Sequence, residues 1–144
     1  MSTLNGALGA AVSALDAQRA RMEVAVSNMA NAESTRGADG LPYRRREVVL
    51  GASPIDSFDA ALGRADADAV GVKVTNILED QTPFRRRYEP SHPDADKEGF
   101  VAMPNVDVPE EMVDMIGAAR AYQANLTAIG IIQDTMKRAL DLGK

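Results

Sequence analysis

From Leu4 onward, apolar side chains recur at alternating steps of four and three residues: Leu4, Leu8, Ala11, Leu15, Met22, Ala25 and Met29, with Gln18 the one polar member of the series. That is the period of a helix seam and not the two-residue alternation of a strand. Val12 and Val26 widen the stripe, whereas Asp16, Arg19, Arg21 and Glu23 fall off it, and no proline interrupts the segment before Pro42. The pattern predicts one helix of about 28 residues, roughly 42 Å long at 1.5 Å per residue. A second seam closes the chain: Met112, Met115, Ala119, Tyr122, Leu126, Ile129, Gln133, Met136 and Leu140, flanked by Val113, Ile116 and Ile132. Asp107 suits the cap of that helix, Glu110 its reciprocal partner three residues on, and Pro109 is tolerated in the first turn. With Gly143 as the stop, the second helix runs for about 33 residues, roughly 50 Å.

The segment between the seams has a different character. Gly37, Asp39-Gly40 and Pro42 signal turns, followed by a strand candidate over Tyr43–Leu50. Ser53–Ala69 alternates Asp with Ala and Gly and reads as a mobile loop. Val70–Leu78 sets Val70, Val72 and Val74 on one face and is the clearest strand signal. Shorter candidates, Phe84–Tyr88 and Phe100–Met103, are separated by turns at Pro90, Pro93 and Gly99. An internal echo joins Pro42-Tyr43-Arg44-Arg45-Arg46 to Pro83-Phe84-Arg85-Arg86-Arg87; the two segments either pair as strands or present similar edges. The expected fold is mainly α with a small β part. Residues 1–34 and 107–144 form long helices packed as an antiparallel coiled-coil-like pair, and residues 35–106 form a central region of short strands and loops.

Seams this long must be dry to repay the ordering of the helices that carry them. At about 25 cal/mol per Å², each stripe contributes several kcal/mol only where a partner covers it. Two helices facing each other leave part of each widened stripe open, so contact with further chains is expected. Small residues such as Ala10, Ala11, Ala14, Ala118, Ala119 and Ala121 allow close helix approach, and Gln18 and Gln133 either fix register or are tolerated exposures. The resulting assembly surface comprises Leu4, Leu8, Leu15, Met22, Val26, Met29, Met112, Met115, Ala119, Tyr122, Leu126, Ile129, Met136 and Leu140.

Composition removes other function classes. Only 4% of the chain is aromatic and there is no tryptophan, which favours close helix contacts and an elongated shape over a thick rounded core. A formal charge of −5 offers nothing to a phosphate backbone or an anionic membrane surface. With no cysteine and one histidine, His92 in a proline-bounded turn, neither a thiolate site nor a metal set can be completed, and no cofactor is expected. No signal-peptide n-region precedes the weak apolar start, and Ala121–Gln133 is too short and polar to span a bilayer. Glu110, Glu111 and Asp114 cluster where the helix dipole favours negative charge, and the arginine triplets read first as solvated strand faces. Phosphate-cradling, zinc-protease and nucleophile-elbow motifs are all missing, so no catalytic residue is assigned. The residues alone indicate a non-enzymatic helical self-assembly module. The rival is a coiled-coil adaptor or export chaperone that binds helical client segments; a cell-wall-cleaving enzyme would need a carboxylate pair or metal set in a cleft.

Ser27-Asn28-Met29-Ala30-Asn31-Ala32-Glu33-Ser34-Thr35, at the end of the first helix, resembles the SN-x-AN-x-x-(S)T signature of flagellar rod and hook proteins. Gly40-Leu41-Pro42-Tyr43-Arg44 looks like the version found in a proximal-rod member. The block from Gly99-Phe100-Val101-Ala102-Met103-Pro104-Asn105-Val106-Asp107 through Tyr122-Gln123-Ala124-Asn125 is similar to the C-terminal region of the same member, and Gly71-Val72-Lys73-Val74 and Tyr88-Glu89-Pro90 fit between them. Residues 51–69 offer no pattern to compare. The motif residues are thus Ser27, Asn28, Ala30, Asn31, Tyr43, Pro104, Asn105, Val106, Asp107, Tyr122, Gln123, Ala124 and Asn125. The resemblance implies a structural subunit of the flagellar basal-body rod, exported by the flagellar type III apparatus and assembled in the periplasm. Its terminal helices would form the inner, coiled-coil-like layer of a torque-transmitting shaft and tend to disorder before assembly. Implied partners are the rod proteins FlgB, FlgF and FlgG, the junction protein FliE, copies of the chain itself and the export apparatus, with neither nucleic acid nor membrane insertion. The stretch Asn28–Thr35 is expected to satisfy helix-end carbonyls and set the angle between the helical layer and the β-containing middle.

Overall fold

The computed structural model describes residues 2–55 and 70–141. Helix α1 spans Ser2–Ala30, strands β1 and β2 span Arg46–Pro54 and Val70–Glu79, β3 and β4 span Arg85–Tyr88 and Phe100–Met103, and helix α2 spans Val108–Asp141. The protein is mainly helical, with long helices at both ends and short antiparallel strands in the middle. Most of the loop expected over Ser53–Ala69, and the expected stop at Gly143, lie outside the described residues.

Helix α1 ends where its last carbonyls find other partners. The Asn31 amide N–H reaches Ser27 O at 3.1 Å and Asn28 O at 3.2 Å, and the Ala32 N–H reaches Met29 O at 3.2 Å, tightening the final turn. At the other end of the chain, Asp107 offers its carbonyl to the Glu111 N–H at 3.0 Å, Pro109 sits in the first turn, and Glu110 and Glu111 meet the positive end of the helix dipole.

Two compact units share these elements. One holds the chain up to Ala20, Val49–Asn76 and the chain from Gly117 onward; the other holds Arg21–Val48 and Ile77–Ile116. In each, one end of α1 clusters with the opposite end of α2. Strands β1 and β2 pair with each other; the Asp80 N–H donates to Arg45 O at 2.8 Å in the second unit, and Thr75 Oγ1 donates to Val49 O at 3.0 Å in the first.

In the first unit, β2 lies directly on α1. Ser13 Oγ donates to Ala10 O at 2.8 Å and accepts the Val72 N–H at 3.0 Å. Glycine makes this approach possible, since a Cβ on Gly71 would stand 2.6 Å from Ser13 Oγ. In the second unit, β3 and β4 pair antiparallel with Arg85 opposite Met103 and Tyr88 opposite Phe100. Val101, Met103 and Val106 are buried there together with Ala25, Ala32 and Pro104. These are small or medium side chains, so elements approach closely without large rings between them.

The strand expected over Tyr43–Leu50 begins three residues later and runs on to Pro54. The cause is that Arg45 gives its N–H to a side chain, Asn105 Oδ1 at 2.8 Å, and not to a neighbouring strand. The echoed segments do not pair as strands either: β3 pairs with β4, while the Arg44 guanidinium lies over the Phe84 ring at 4.3 Å.

Candidate functional site

The polar junction of the second unit is built around Asn28, buried to 1% exposure on the last turn of α1. Its Nδ2 donates to Arg46 O and to Glu111 Oε2, both at 2.9 Å. Its Oδ1 accepts the Arg46 N–H at 3.0 Å and the Tyr43 hydroxyl at 2.9 Å. A primary amide has two donor hydrogens and two acceptor lone pairs, and all are used here. Because Arg46 is engaged through both its N–H and its C=O, the side chain acts as a short substitute strand that fixes the start of β1 to the helix.

Arg45, one residue earlier, is held from the other motif block. Asn105 Oδ1 accepts its N–H, while Asn105 Nδ2 donates to Asp80 O at 3.1 Å and Thr82 Oγ1 at 2.8 Å, tying the far end of β2 to the same point. The Arg45 side chain is 14% exposed and bonds the 3%-exposed Glu111 through Nε. Glu47 lies at 2.8 Å, Glu110 at 3.5 Å and Asp114 at 3.6 Å. Burial opposes the guanidinium charge, but the hydrogen bond and charge of Glu111, with Glu110 and Glu47, outweigh it and hold the Arg45 pKa above its ordinary value. This arrangement corrects two expectations: Arg45 is not a solvated strand residue, and the acids of the first α2 turn serve a specific cation as well as the helix dipole.

The rest of the motif closes the corner after α1. Asn31 Nδ2 donates to Ser27 O at 2.9 Å, Ser34 Oγ to Asn31 Oδ1 at 3.2 Å, and the Tyr43 N–H to Ser34 O at 3.1 Å. Thr35 Oγ1 donates to Asp94 Oδ2 at 2.9 Å, anchoring the β3–β4 loop, where the ring Nδ1 of His92 accepts the Asp94 N–H at 3.1 Å. A cavity of about 480 Å³ beside the junction includes Arg36, Arg44, Arg46 and Glu79 in its wall. Its cations are already engaged: Arg46 with Glu79 at 3.6 Å, Arg36 with Asp94 at 3.5 Å, and Arg44 with Asp80 O at 3.1 Å. Among the described residues no group of three or more His, Asp or Glu could hold a metal ion, and no helix is long and apolar enough to cross a membrane.

Of the motif residues, the structure brings Ser27, Asn28, Asn31, Tyr43 and Asn105 to this junction, with Pro104 and Val106 buried beside it and Ala30 and Asp107 exposed. Tyr122, Gln123, Ala124 and Asn125 belong to the other unit. Along the predicted seams, Leu4, Leu8, Leu15, Met22, Met29, Met115, Tyr122, Ile129 and Met136 are half-buried, whereas Val26, Met112, Ala119, Leu126 and Leu140 are exposed. Arg45 and Glu111 escaped sequence reasoning. The available signal was Glu110, Glu111 and Asp114 at helical spacing, acids that suit a basic partner as well as a helix dipole.

Comparison with known proteins agrees with this geometry. Residues 8–38 match the family described as flagella basal body rod protein, and residues 97–142 match the C-terminal family of the flagellar basal body rod FlgEFG proteins. Terminal helices joined through an asparagine-centred corner are thus the features of a flagellar axial protein of the rod class. The flagellar basal-body rod protein FlgC of Salmonella typhimurium is 46% identical over 92% of both chains, that of Yersinia enterocolitica 43% over the whole of both, and that of Bacillus subtilis 42% over 95% of this chain and 96% of its own. The chain belongs to the FlgC family of flagellar basal-body rod proteins.

Proposed function

We propose that this protein is a structural, non-catalytic subunit of the flagellar basal-body rod, carried into the periplasm by the flagellar export apparatus. There it packs against copies of itself and against FlgB, FlgF, FlgG and FliE to build the shaft that transmits torque. Family membership over nearly the full length supports the class, and the two faces of α2 support the mode of assembly. Glu111, Met115, Ala118, Tyr122, Asn125, Ile129, Ile132 and Met136 form the covered face, all buried or half-buried at steps of three and four. Met112, Ile116, Ala119, Leu126 and Leu140 lie outside it and are exposed. A helix with one seam satisfied and a second apolar stripe open is prepared for another partner. Covering half of a Leu or Ile side chain contributes on the order of 1 kcal/mol, so several such contacts repeated along a shaft make it hard to shear. The junction suits this role, since polar groups saturated among themselves hold a shape and have no free valence for proton transfer.

Replacing the native gene of a flagellated bacterium with a Leu126→Asp variant tests the reading. The 47% exposure of Leu126 lets the isolated chain keep its fold, while a charge on a surface that becomes dry should remove the protein from purified basal bodies and abolish motility. Normal incorporation and swimming would show that this stripe is not an assembly face.

A further inference from the structure

Two carboxamides on α1, Gln18 and Asn28, are treated oppositely by the fold. Asn28 has every donor and acceptor engaged. Gln18, the polar member of the α1 seam, is half-buried between half-buried Leu15 and Met22, with Ala17 beside it 2% exposed. Its Oε1 is shut off from solvent. Among the described residues it is the one buried side-chain oxygen or nitrogen without a hydrogen-bond partner. Gln133, the corresponding break in the α2 seam, is exposed. Two interruptions that look alike in sequence thus differ in kind, and only the one at Gln18 carries a cost.

A buried acceptor gives up its hydrogen bonds to water and, without a donor, gains none in return. A polar side chain kept in an apolar seam at such a cost ordinarily specifies a pairing. The pairing inside the isolated chain makes no use of Gln18, because no described group meets its carbonyl. The pairing it serves is therefore one made with another chain.

We propose that Gln18 Oε1 accepts a hydrogen bond from a neighbouring subunit in the assembled rod, so that the α1 seam is better satisfied in the assembly than in the isolated chain. The inference rests on the rod reading above. The donor is a neutral N–H or O–H of an amide or hydroxyl side chain. Asp16, Arg19, Arg21 and Glu23, the charged residues of this stretch, are all exposed, so a lysine or arginine brought to Oε1 would be buried without a counter-ion. Ala11 and Ala14, half-buried on the same side of α1, let a partner helix come close enough to deliver a short donor. A partner shifts an equilibrium only by what it gains in one state over the other, and that difference here is one hydrogen bond to a buried carbonyl per subunit.

Gln18→Met keeps the length of the side chain and removes its polar end. The isolated chain then buries no orphaned oxygen, so its melting temperature should rise by about 3–6 °C, whereas Gln133→Met, at an exposed position, should shift it by less than about 2 °C. In cells that express Gln18→Met and the unsubstituted chain from equal gene copies, mass spectrometry of purified basal bodies should find the variant about fivefold under-represented relative to the periplasmic pool of each chain. Stability and incorporation then move in opposite directions, a split that a residue of purely structural role does not produce. A melting temperature that fails to rise would overturn the proposal, because Oε1 would then be satisfied in the isolated chain. An equal rise in Gln133→Met would overturn it too, since the gain would come from added apolar surface. Equal incorporation of the two chains would leave the rod reading intact and overturn this inference alone. Absence of both chains from basal bodies would overturn the rod reading, and the inference with it.

Discussion

Asn28 is the residue whose replacement tests the junction most sharply. In Asn28→Ala, Glu111 keeps Arg45 and the Tyr43 hydroxyl keeps Ser27 Oγ at 3.4 Å, but the Arg46 N–H and C=O lose their partner altogether. An orphaned buried polar group costs about 1–3 kcal/mol. Arg46 is itself exposed, so water reaches these groups in part and the lower end applies, about 2–3 kcal/mol for the pair. At about 3 °C per kcal/mol for a chain of this length, melting followed by circular dichroism should fall by about 6–9 °C. Asn28→Asp separates hydrogen bonding from volume. It keeps the shape but sets a second carboxylate 2.9 Å from Glu111 and an acceptor against Arg46 O. The like charge raises the pKa of the new carboxyl in the folded state above its unfolded value, so the folded form prefers the proton. Its penalty therefore grows as pH rises through the folded pKa and fades toward acid, whereas the alanine variant shows no such trend. Equal melting of the two variants at pH 7.5 and pH 5, or a loss below about 2 °C for alanine, would refute the account of Asn28 as a saturated clamp.

Arg45→Met leaves Glu111 buried without its cation and should cost about 3 kcal/mol, while adding Glu111→Gln, which still accepts from Asn28, should recover part of that loss in urea unfolding. Gly71→Ala drives a methyl into Ser13 Oγ and should speed hydrogen exchange at Val72 in β2 while leaving β3–β4 unchanged; protection at Val72 equal to that of the unsubstituted chain would discount the close approach. Asp96 has its pKa lowered by the Phe100 N–H first, then by the Glu98 N–H and Arg86. A depressed carboxyl contributes its stability above its unfolded pKa and loses it as pH falls through the folded pKa, so the β3–β4 loop should loosen only in strong acid. NMR titration of the Asp96 carboxyl checks this, and a midpoint at or above the ordinary aspartate value would contradict it.

How much of this was readable in advance depends on whether the signal was periodic. Both helices and β2 follow from spacing, because local repetition of apolar residues records which groups turn inward, and β4 at Phe100–Met103 follows from the turn residues that precede it. What periodicity leaves open is phase. On α2 the series Met115, Tyr122, Ile129, Met136 and the series Met112, Ile116, Ala119, Leu126 both satisfy a helix seam, and adjacent Ala118 and Ala119 differ in nothing but position. The fold buries Ala118 and exposes Ala119 because Glu111, bonded to Asn28 and Arg45, fixes the rotation of α2 at its first turn. That choice is made by a contact spanning 83 residues of sequence, between side chains that any local pattern reads as a turn former and a dipole partner. The strand boundary at Arg46 has a similar origin, since the Asn105 side chain takes the Arg45 N–H, and Asn28 on α1 holds both backbone groups of Arg46, the first strand residue. Asn28 and Glu111 thus determine which stripe of α2 faces its own chain and which is left for a neighbour, while Asn105 holds the entry to β1.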